Sequence, residues 1–224
     1  MVVQSPPARG ISFDPAYLRA KRALDIAFTL LMLPILGITC AVVAVAICLD
    51  SKGPILYRPK RIGQNGLAFE MLKFRSMYVN SCEGVHREAI KKYMDGEKLN
   101  SDTRTDLAYK QVNDSRVTRI GRFIRKTSLD ELPQFCNVLR GEMSLVGPRP
   151  PLPYEVELYS SHDWLRLSEK PGLTGFWQIY GRSRVTFQEM VEMDIAYLEH
   201  HSLWEDLKLM ALTLPVMIKA KGGA

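Results

Sequence analysis

From residue 26 to residue 49 the chain runs for 24 residues without a single charge, and no other feature narrows the possible folds as much. At about 1.5 Å per residue, a helix of that length reaches across a hydrocarbon core about 30 Å thick. A secretory leader is a poor fit. The block starts late, exceeds the usual apolar core of a leader, and lacks a convincing small-residue cleavage site after it. A core helix of a globular domain would keep one polar face, whereas this stretch is apolar all round. Pro34 stands inside the block, where it removes one backbone hydrogen bond and crowds the carbonyl four residues back. Gly37, one turn later, lowers the resistance to bending. Basic clusters flank both ends: Arg19, Lys21 and Arg22 before, Lys52, Arg58, Lys60 and Arg61 after. A straight span puts one cluster outside, against the positive-inside tendency, while a helix bent at Pro34 returns both to one side. Backbone groups freed by the bend need partners, which Thr29 or a neighbouring helix is expected to supply. Hydropathy alone leaves the straight span and the re-entrant hairpin equally open.

Nothing after residue 50 repeats this pattern, so the remainder reads as a soluble domain held on the membrane. An excess of 30 Lys and Arg over 24 Asp and Glu, net +6, predicts an anionic partner: nucleic acid, lipid headgroups or a phosphorylated ligand. The four cysteines (Cys40, Cys48, Cys82, Cys136) form no CxxC pair and read as buried reduced thiols. His86, His162, His200 and His201 show no metal-ligand spacing, and the adjacent pair suits a surface or interface. Residues 1–18 read as a loose tail. Ile55-Leu56-Tyr57 and residues 69–74 look like short strands around the turn Gly63-Gln64-Asn65-Gly66. Residues 80–113 are polar and charge-mixed, an exposed helix followed by a loop; Asp102 and Asp106 there read as a solvated face rather than a metal pair. Near the C-terminus an apolar run starting at Leu203 and Trp204, interrupted by Pro215, suits either a segment lying on the bilayer or a core helix.

Chemistry concentrates in the middle of the chain. Arg116, Arg119, Arg122, Arg125 and Lys126 place five positive charges in eleven residues with no acid between them. Spacing of three lets two or three guanidinium forks converge on one phosphate. Asp130 and Glu131 follow at once in Ser128-Leu129-Asp130-Glu131-Leu132-Pro133-Gln134. A capping box between Ser128 and Glu131 would explain the glutamate structurally, but not the aspartate. Pro148-Arg149-Pro150 fixes an arginine on a stiff backbone, or is simply a rigid surface turn. Residues 170–182 mix glycine, aromatic and polar side chains, as loops lining ligand sites do, although a packed turn has the same composition.

Taken together, Lys21-Arg22-Ala23-Leu24-Asp25, Leu72-Lys73-Phe74-Arg75-Ser76-Met77, the Asp130-Glu131 segment, Asn137-Val138-Leu139-Arg140-Gly141, the run Met143 through Pro150 and Lys170-Pro171-Gly172-Leu173-Thr174-Gly175 resemble the bacterial sugar transferase family, the small monotopic phosphoglycosyl transferases. The likeness covers residues 19–220. It implies an α/β chain of the α+β kind: a mostly helical cytosolic domain (51–224) with a small β element, anchored by a re-entrant membrane helix (19–50) and interfacial amphipathic helices. Departures from the family pattern are Leu33, where a Ser commonly precedes the proline, and Phe176-Trp177 in the glycine-aromatic loop.

The same resemblance implies an enzyme of the inner membrane, facing the cytoplasm, that moves a sugar 1-phosphate from a UDP-sugar to undecaprenyl phosphate and releases UMP. Asp130 is then the nucleophile and Glu131 its partner, both near a magnesium ion at the diphosphate. Lys73, Arg125 and Arg149 neutralise developing charge. Arg75, Pro148, Pro150, Gln178, Arg182 and Asp194 line the substrate site, with Asp194 orienting one of the bases. Membrane lipid is a partner, a homodimer is compatible with the family, and nucleic acid is not expected. Two other readings stay open on the residues alone: a membrane adaptor that binds anionic lipid or polymer, and a tethered glycosyltransferase that releases UDP. The missing Asp-x-Asp motif counts against the second.

Overall fold

A computed structural model describes residues 11–79, Met94, 116–181 and 185–219. Its longest element, α1 (Pro15–Asp50), starts where Asp14 accepts from the Ala16 N–H and Pro15 takes the first helical position, a place that needs no donor. The helix continues through Pro34 instead of ending there. It is the only helix among the described residues long and apolar enough to cross a membrane. Thr29 is fully buried and its hydroxyl has no partner, so it does not serve the backbone freed by Pro34 as expected.

Four short strands follow: β1 (Leu56–Tyr57), β2 (Lys60–Ile62), β3 (Ala68–Glu70) and β4 (Lys73–Phe74). β2 and β3 form a hairpin around Asn65 and Gly66, both at positive φ, and β1 pairs with β4 outside it. The expected single strand over residues 69–74 is therefore divided, because Met71 and Leu72 turn into the core between β3 and β4. Then come α2 (Arg119–Lys126), a 3-10 turn (Leu129–Glu131), α3 (Gln134–Arg140), β5 (Ser144–Val146), α4 (Pro153–Val156), a second 3-10 segment (Asp163–Leu167), β6 (Gly172–Thr174), α5 (Phe176–Tyr180), α6 (Phe187–Glu199) and α7 (Leu203–Lys219). β5 and β6 pair in parallel. The fold is the anticipated mostly helical α+β arrangement.

Both arms of α1 dock on this one domain. Near its start, Lys21 reaches Asp206 of α7 at 2.8 Å, Arg22 donates to the Val138 and Leu139 carbonyls at 2.6 and 2.8 Å, and Asp25 accepts from the Leu145 N–H at 2.9 Å. Near its end, Val43 and Ile47 pack with Phe74 and Ile124. The stretch between, including Leu31, Leu33, Ile35 and Ile38, is exposed. A main core of Met71, Val138, Met143, Leu145, Val146, Tyr197, Leu198 and Leu209 joins the strands to α3, α6 and α7. Helix α7 runs on through Pro215 and splits its duties: Leu209 is fully buried while Trp204 is 75% exposed. Cys40, Cys48 and Cys136 are free thiols, but Cys48 and Cys136 lie on the surface instead of in the core.

Candidate active site

Three chain segments meet around Lys73. β4 carries it, held in register by the Tyr57↔Lys73 pairing with β1. Opposite lies the turn after α2, where the chain reverses at Ser128 in the left-handed conformation (φ 56°). That reversal undoes the expected capping box. Ser128 makes no side-chain cap, and Glu131 turns to Lys73, with Oε1 accepting from Nζ at 2.7 Å. Asp130 Oδ2 lies 4.0 Å from the same ammonium. The Lys73 and Asp130 side chains are 20% and 14% exposed and that of Glu131 is 39%, so one carboxylate is sheltered and the other faces water. One cation thus holds two adjacent carboxylates, and both can point at a common ligand.

Asn137 fixes that geometry, and the sequence reading gave it no role. It is completely buried on α3; its Oδ1 accepts from the Leu72 N–H at 2.9 Å, and its Nδ2 donates to the Glu70 carbonyl at 2.8 Å and to Glu142 at 2.7 Å. The helix that follows Asp130-Glu131 is thereby stitched to the strand one residue before Lys73. A single Asn in an apolar stretch was the available signal.

The loop after β5 is clamped on two sides. Gly147 donates to Thr174, Gly172 to Pro148, and β2 contributes Arg61 Nη1 to the Pro150 carbonyl at 3.3 Å and Ile62 N–H to Pro151 at 3.0 Å. A Cβ on Gly172 would fall 2.1 Å from the Gly147 nitrogen, so the crossing of these two segments requires glycine. Pro148 and Pro150 are buried and leave Arg149 half-exposed between them. Arg125 is half-buried, and its side chain carries no ion pair among the described residues. Gln178 on α5 donates weakly to the Leu173 carbonyl at 3.5 Å, and its Oε1 is a buried acceptor without a donor.

Arg75 and Asp194 are both held by partners outside the Lys73 cluster. Arg75 donates to the Ser51 carbonyl and hydroxyl at 2.6 and 2.9 Å, closing the end of α1, while its buried Nε and Nη1 have no acceptor. Asp194 orients none of Lys73, Arg125 and Arg149. It is buried against Arg166, which donates to it through Nε and Nη2 at 2.9 and 2.6 Å and to the Tyr159 hydroxyl through Nη1. Burial outweighs the guanidinium there and pushes the Asp194 carboxyl up to about 6. Arg182 and the Asp102 and Asp106 positions lie outside the described residues.

Among the described residues no group of three or more His, Cys, Asp or Glu side chains could hold a metal. Magnesium does not need such a cage; it is commonly bound by one or two carboxylates together with substrate phosphate and water. Asp130 and Glu131 fit that shared mode.

Adjacent carboxylates under a lysine, on a domain carrying a helix long and apolar enough to cross a membrane, make a charged cluster whose chemistry suits a phosphate-bearing ligand. The model of the bacterial sugar transferase family matches residues 16–220, and the chain belongs to that family. It is 46% identical over 208 residues to the galactosyl transferase CpsE of Streptococcus agalactiae serotype III (strain NEM316), covering 92% of this chain and 44% of that protein. It is 38% identical over 202 residues to the undecaprenyl-phosphate galactose phosphotransferase of Salmonella typhimurium, covering 90% of this chain and 41% of that protein. With the exopolysaccharide production protein ExoY of Sinorhizobium fredii it shares 39% identity over 203 residues, 91% of this chain and 87% of ExoY. The chain thus spans less than half the length of the first two relatives.

Proposed function

We propose that this chain is a phosphoglycosyl transferase: it moves a sugar 1-phosphate from a UDP-sugar to undecaprenyl phosphate and releases UMP. The observation that carries the reading is Lys73 bridging Glu131 at 2.7 Å and Asp130 at 4.0 Å. An Asp130 carboxylate oxygen attacks the β-phosphorus, the bond from that phosphorus to the bridging oxygen breaks, and UMP leaves with the electron pair. A phosphate oxygen of undecaprenyl phosphate then attacks the same phosphorus and expels the carboxylate unchanged. Splitting the transfer in this way replaces one difficult displacement by two easier ones. Both substrates are anions approaching an anionic nucleophile, and Lys73, Arg125 and Arg149 offset that repulsion. Magnesium, held by Asp130 and Glu131, would supply further neutralisation of the diphosphate.

The anchor is read as re-entrant. Lys21 and Arg22 at one end of α1 and Ile47 at the other engage a single domain, which a straight crossing of about 30 Å would prevent. This supports a monotopic protein; its place in the inner membrane facing the cytoplasm, with Asp130 at headgroup depth beside its lipid substrate, belongs to the proposal. A homodimer is part of the proposal on family grounds alone. Relatives whose names specify galactose or glucose make those sugars the first to test, with N-acetylated sugars next.

The test incubates the membrane-embedded chain with undecaprenyl phosphate and a panel of UDP-sugars, following nucleotide release and the intact protein mass. UMP with a hexose-phosphate adduct is expected, and Asp130→Asn should lose both. Release of UDP would replace the reading with glycosyl transfer, and an absence of nucleotide turnover with an adaptor role.

A further inference from the structure

The ladder that carries Lys73 presents a second large side chain on the same face. Residues directly opposite in an antiparallel pair project to one side, so Tyr57 of β1 stands beside Lys73 of β4. Their neighbours Leu56 and Phe74 turn the other way, into the cluster with Val43, Ile47 and Ile124. Tyr57 is 50% exposed, one cross-strand step from the cation that bridges Asp130 and Glu131. With Pro54, Ile55, Leu56 and Arg58 it lines an open cleft of about 560 Å³. The two displacements at phosphorus call on none of these five residues.

The cleft begins where α1 ends. Ser51 closes the helix and accepts from Arg75 Nη2 through its carbonyl and hydroxyl, and the Ile55 carbonyl accepts from the Arg75 N–H at 2.8 Å. Gly53 between them has φ 129°, and a Cβ there would fall 2.2 Å from Arg75 Nη1, so the turn closes on the guanidinium only with glycine at that position. Residues 51–57 are thereby fastened to the strand of Lys73. They lead from Leu49, 83% exposed on the apolar helix, to the ammonium. The side chains of Pro54, Ile55 and Leu56 carry no donor or acceptor, and a sugar or nucleobase buried against them would leave its polar groups unpaired. A hydrocarbon chain gains by the same burial. We infer that this cleft takes the first isoprene units of the polyprenyl phosphate acceptor, with Tyr57 packing on the chain and the phosphate facing Lys73. The inference rests on the phosphoglycosyl transferase reading and adds to it the path by which the acceptor leaves the bilayer.

In the experiment, the full chain in nanodiscs is irradiated with a polyprenyl phosphate carrying a diazirine on its first isoprene unit, and the labelled peptide is identified by mass. Label within residues 54–58 is expected, competed by undecaprenyl phosphate but not by phosphatidylglycerol or UDP-galactose. Tyr57→Ser should raise the KM for undecaprenyl phosphate about tenfold, the loss that goes with about 55 Å² of apolar contact. Tyr57→Phe should restore it, since the ring and not the hydroxyl makes the contact. A general disturbance of the strand would instead lower kcat/KM for UDP-galactose as well, and that result counts against the inference. Competition by UDP-galactose would give the cleft to the donor, competition by phosphatidylglycerol would make it an unspecific lipid contact, and label on α1 alone would leave the acceptor elsewhere; each overturns the inference. Photolabelling needs no turnover, so a wild-type chain that is labelled yet releases no UMP refutes the transfer reaction and not the binding of the lipid phosphate.

Discussion

Replacing Asn137 by leucine removes three hydrogen bonds while keeping the branched arrangement of side-chain heavy atoms. The partners left behind are not equal. The Leu72 N–H is in a residue only 6% exposed and has no water to turn to, which costs about 1–3 kcal/mol. Glu70 is exposed, so its carbonyl rehydrates, and Glu142 is half-buried; each loss there costs about 0.5–1 kcal/mol. The sum is about 3 kcal/mol, and for a chain of this size that lowers Tm by about 9 °C. Because the same side chain ties α3 to the strand before Lys73, UMP release well below Tm should also fall, by about tenfold or more as the carboxylates lose register with the ammonium. Thermal unfolding in detergent and the nucleotide assay measure the two effects. Asn137→Asp keeps the acceptor for Leu72 but sets a carboxylate against Glu142; adding Glu142→Gln supplies a donor again and should recover most of the loss. A Tm within about 2 °C of wild type for the leucine variant, too small for even one unpaired N–H, would refute the positioning role.

Lys73→Met should lower kcat about 10²–10³-fold while the fold persists, as expected for loss of one preorganised positive charge; steady-state UMP release beside a melting curve decides it. Lys21→Met leaves Asp206 buried with only the Tyr17 and Tyr197 hydroxyls, at 3.0 and 2.5 Å, and should cost about 3 kcal/mol; pairing it with Asp206→Leu should restore much of that in a double-mutant cycle. For Asp194 the folded pKa, about 6, lies above the ordinary 3.8. The contribution of its protonation is therefore full below about pH 4 and gone above about pH 6, and the corresponding slope of Tm against pH should vanish in Asp194→Asn.

Much of the site was legible because it is local. Asp130 and Glu131 are neighbours, and the proline frame of Arg149 announces itself in three residues. What failed was nonlocal or conformational. Ser128 looked like a cap because spacing does not reveal a positive φ, and the left-handed reversal there sends Glu131 to Lys73, 58 residues away. Asp194 was matched with the wrong base because Arg166 carried no motif of its own, and only the tertiary fold brings them together. β2 went unseen because Lys60 and Arg61 break the expected apolar alternation, although Arg61 is buried and bonded to the Pro150 carbonyl. Of the two outcomes expected at Pro34, a kink or a break, the break does not occur: the helical run continues through it, since a proline costs a helix one donor and some room without forbidding the next turn.

A domain gripped at both ends of its apolar helix has little freedom to tumble. On the proposed function, the Lys73 cluster would keep a constant orientation toward a plane, and encounters with a co-substrate dissolved in that plane would become a two-dimensional search, governed by molecules per unit area. Dilution with inert lipid should then slow the second half of the reaction at unchanged total amounts, whereas dilution with buffer should not.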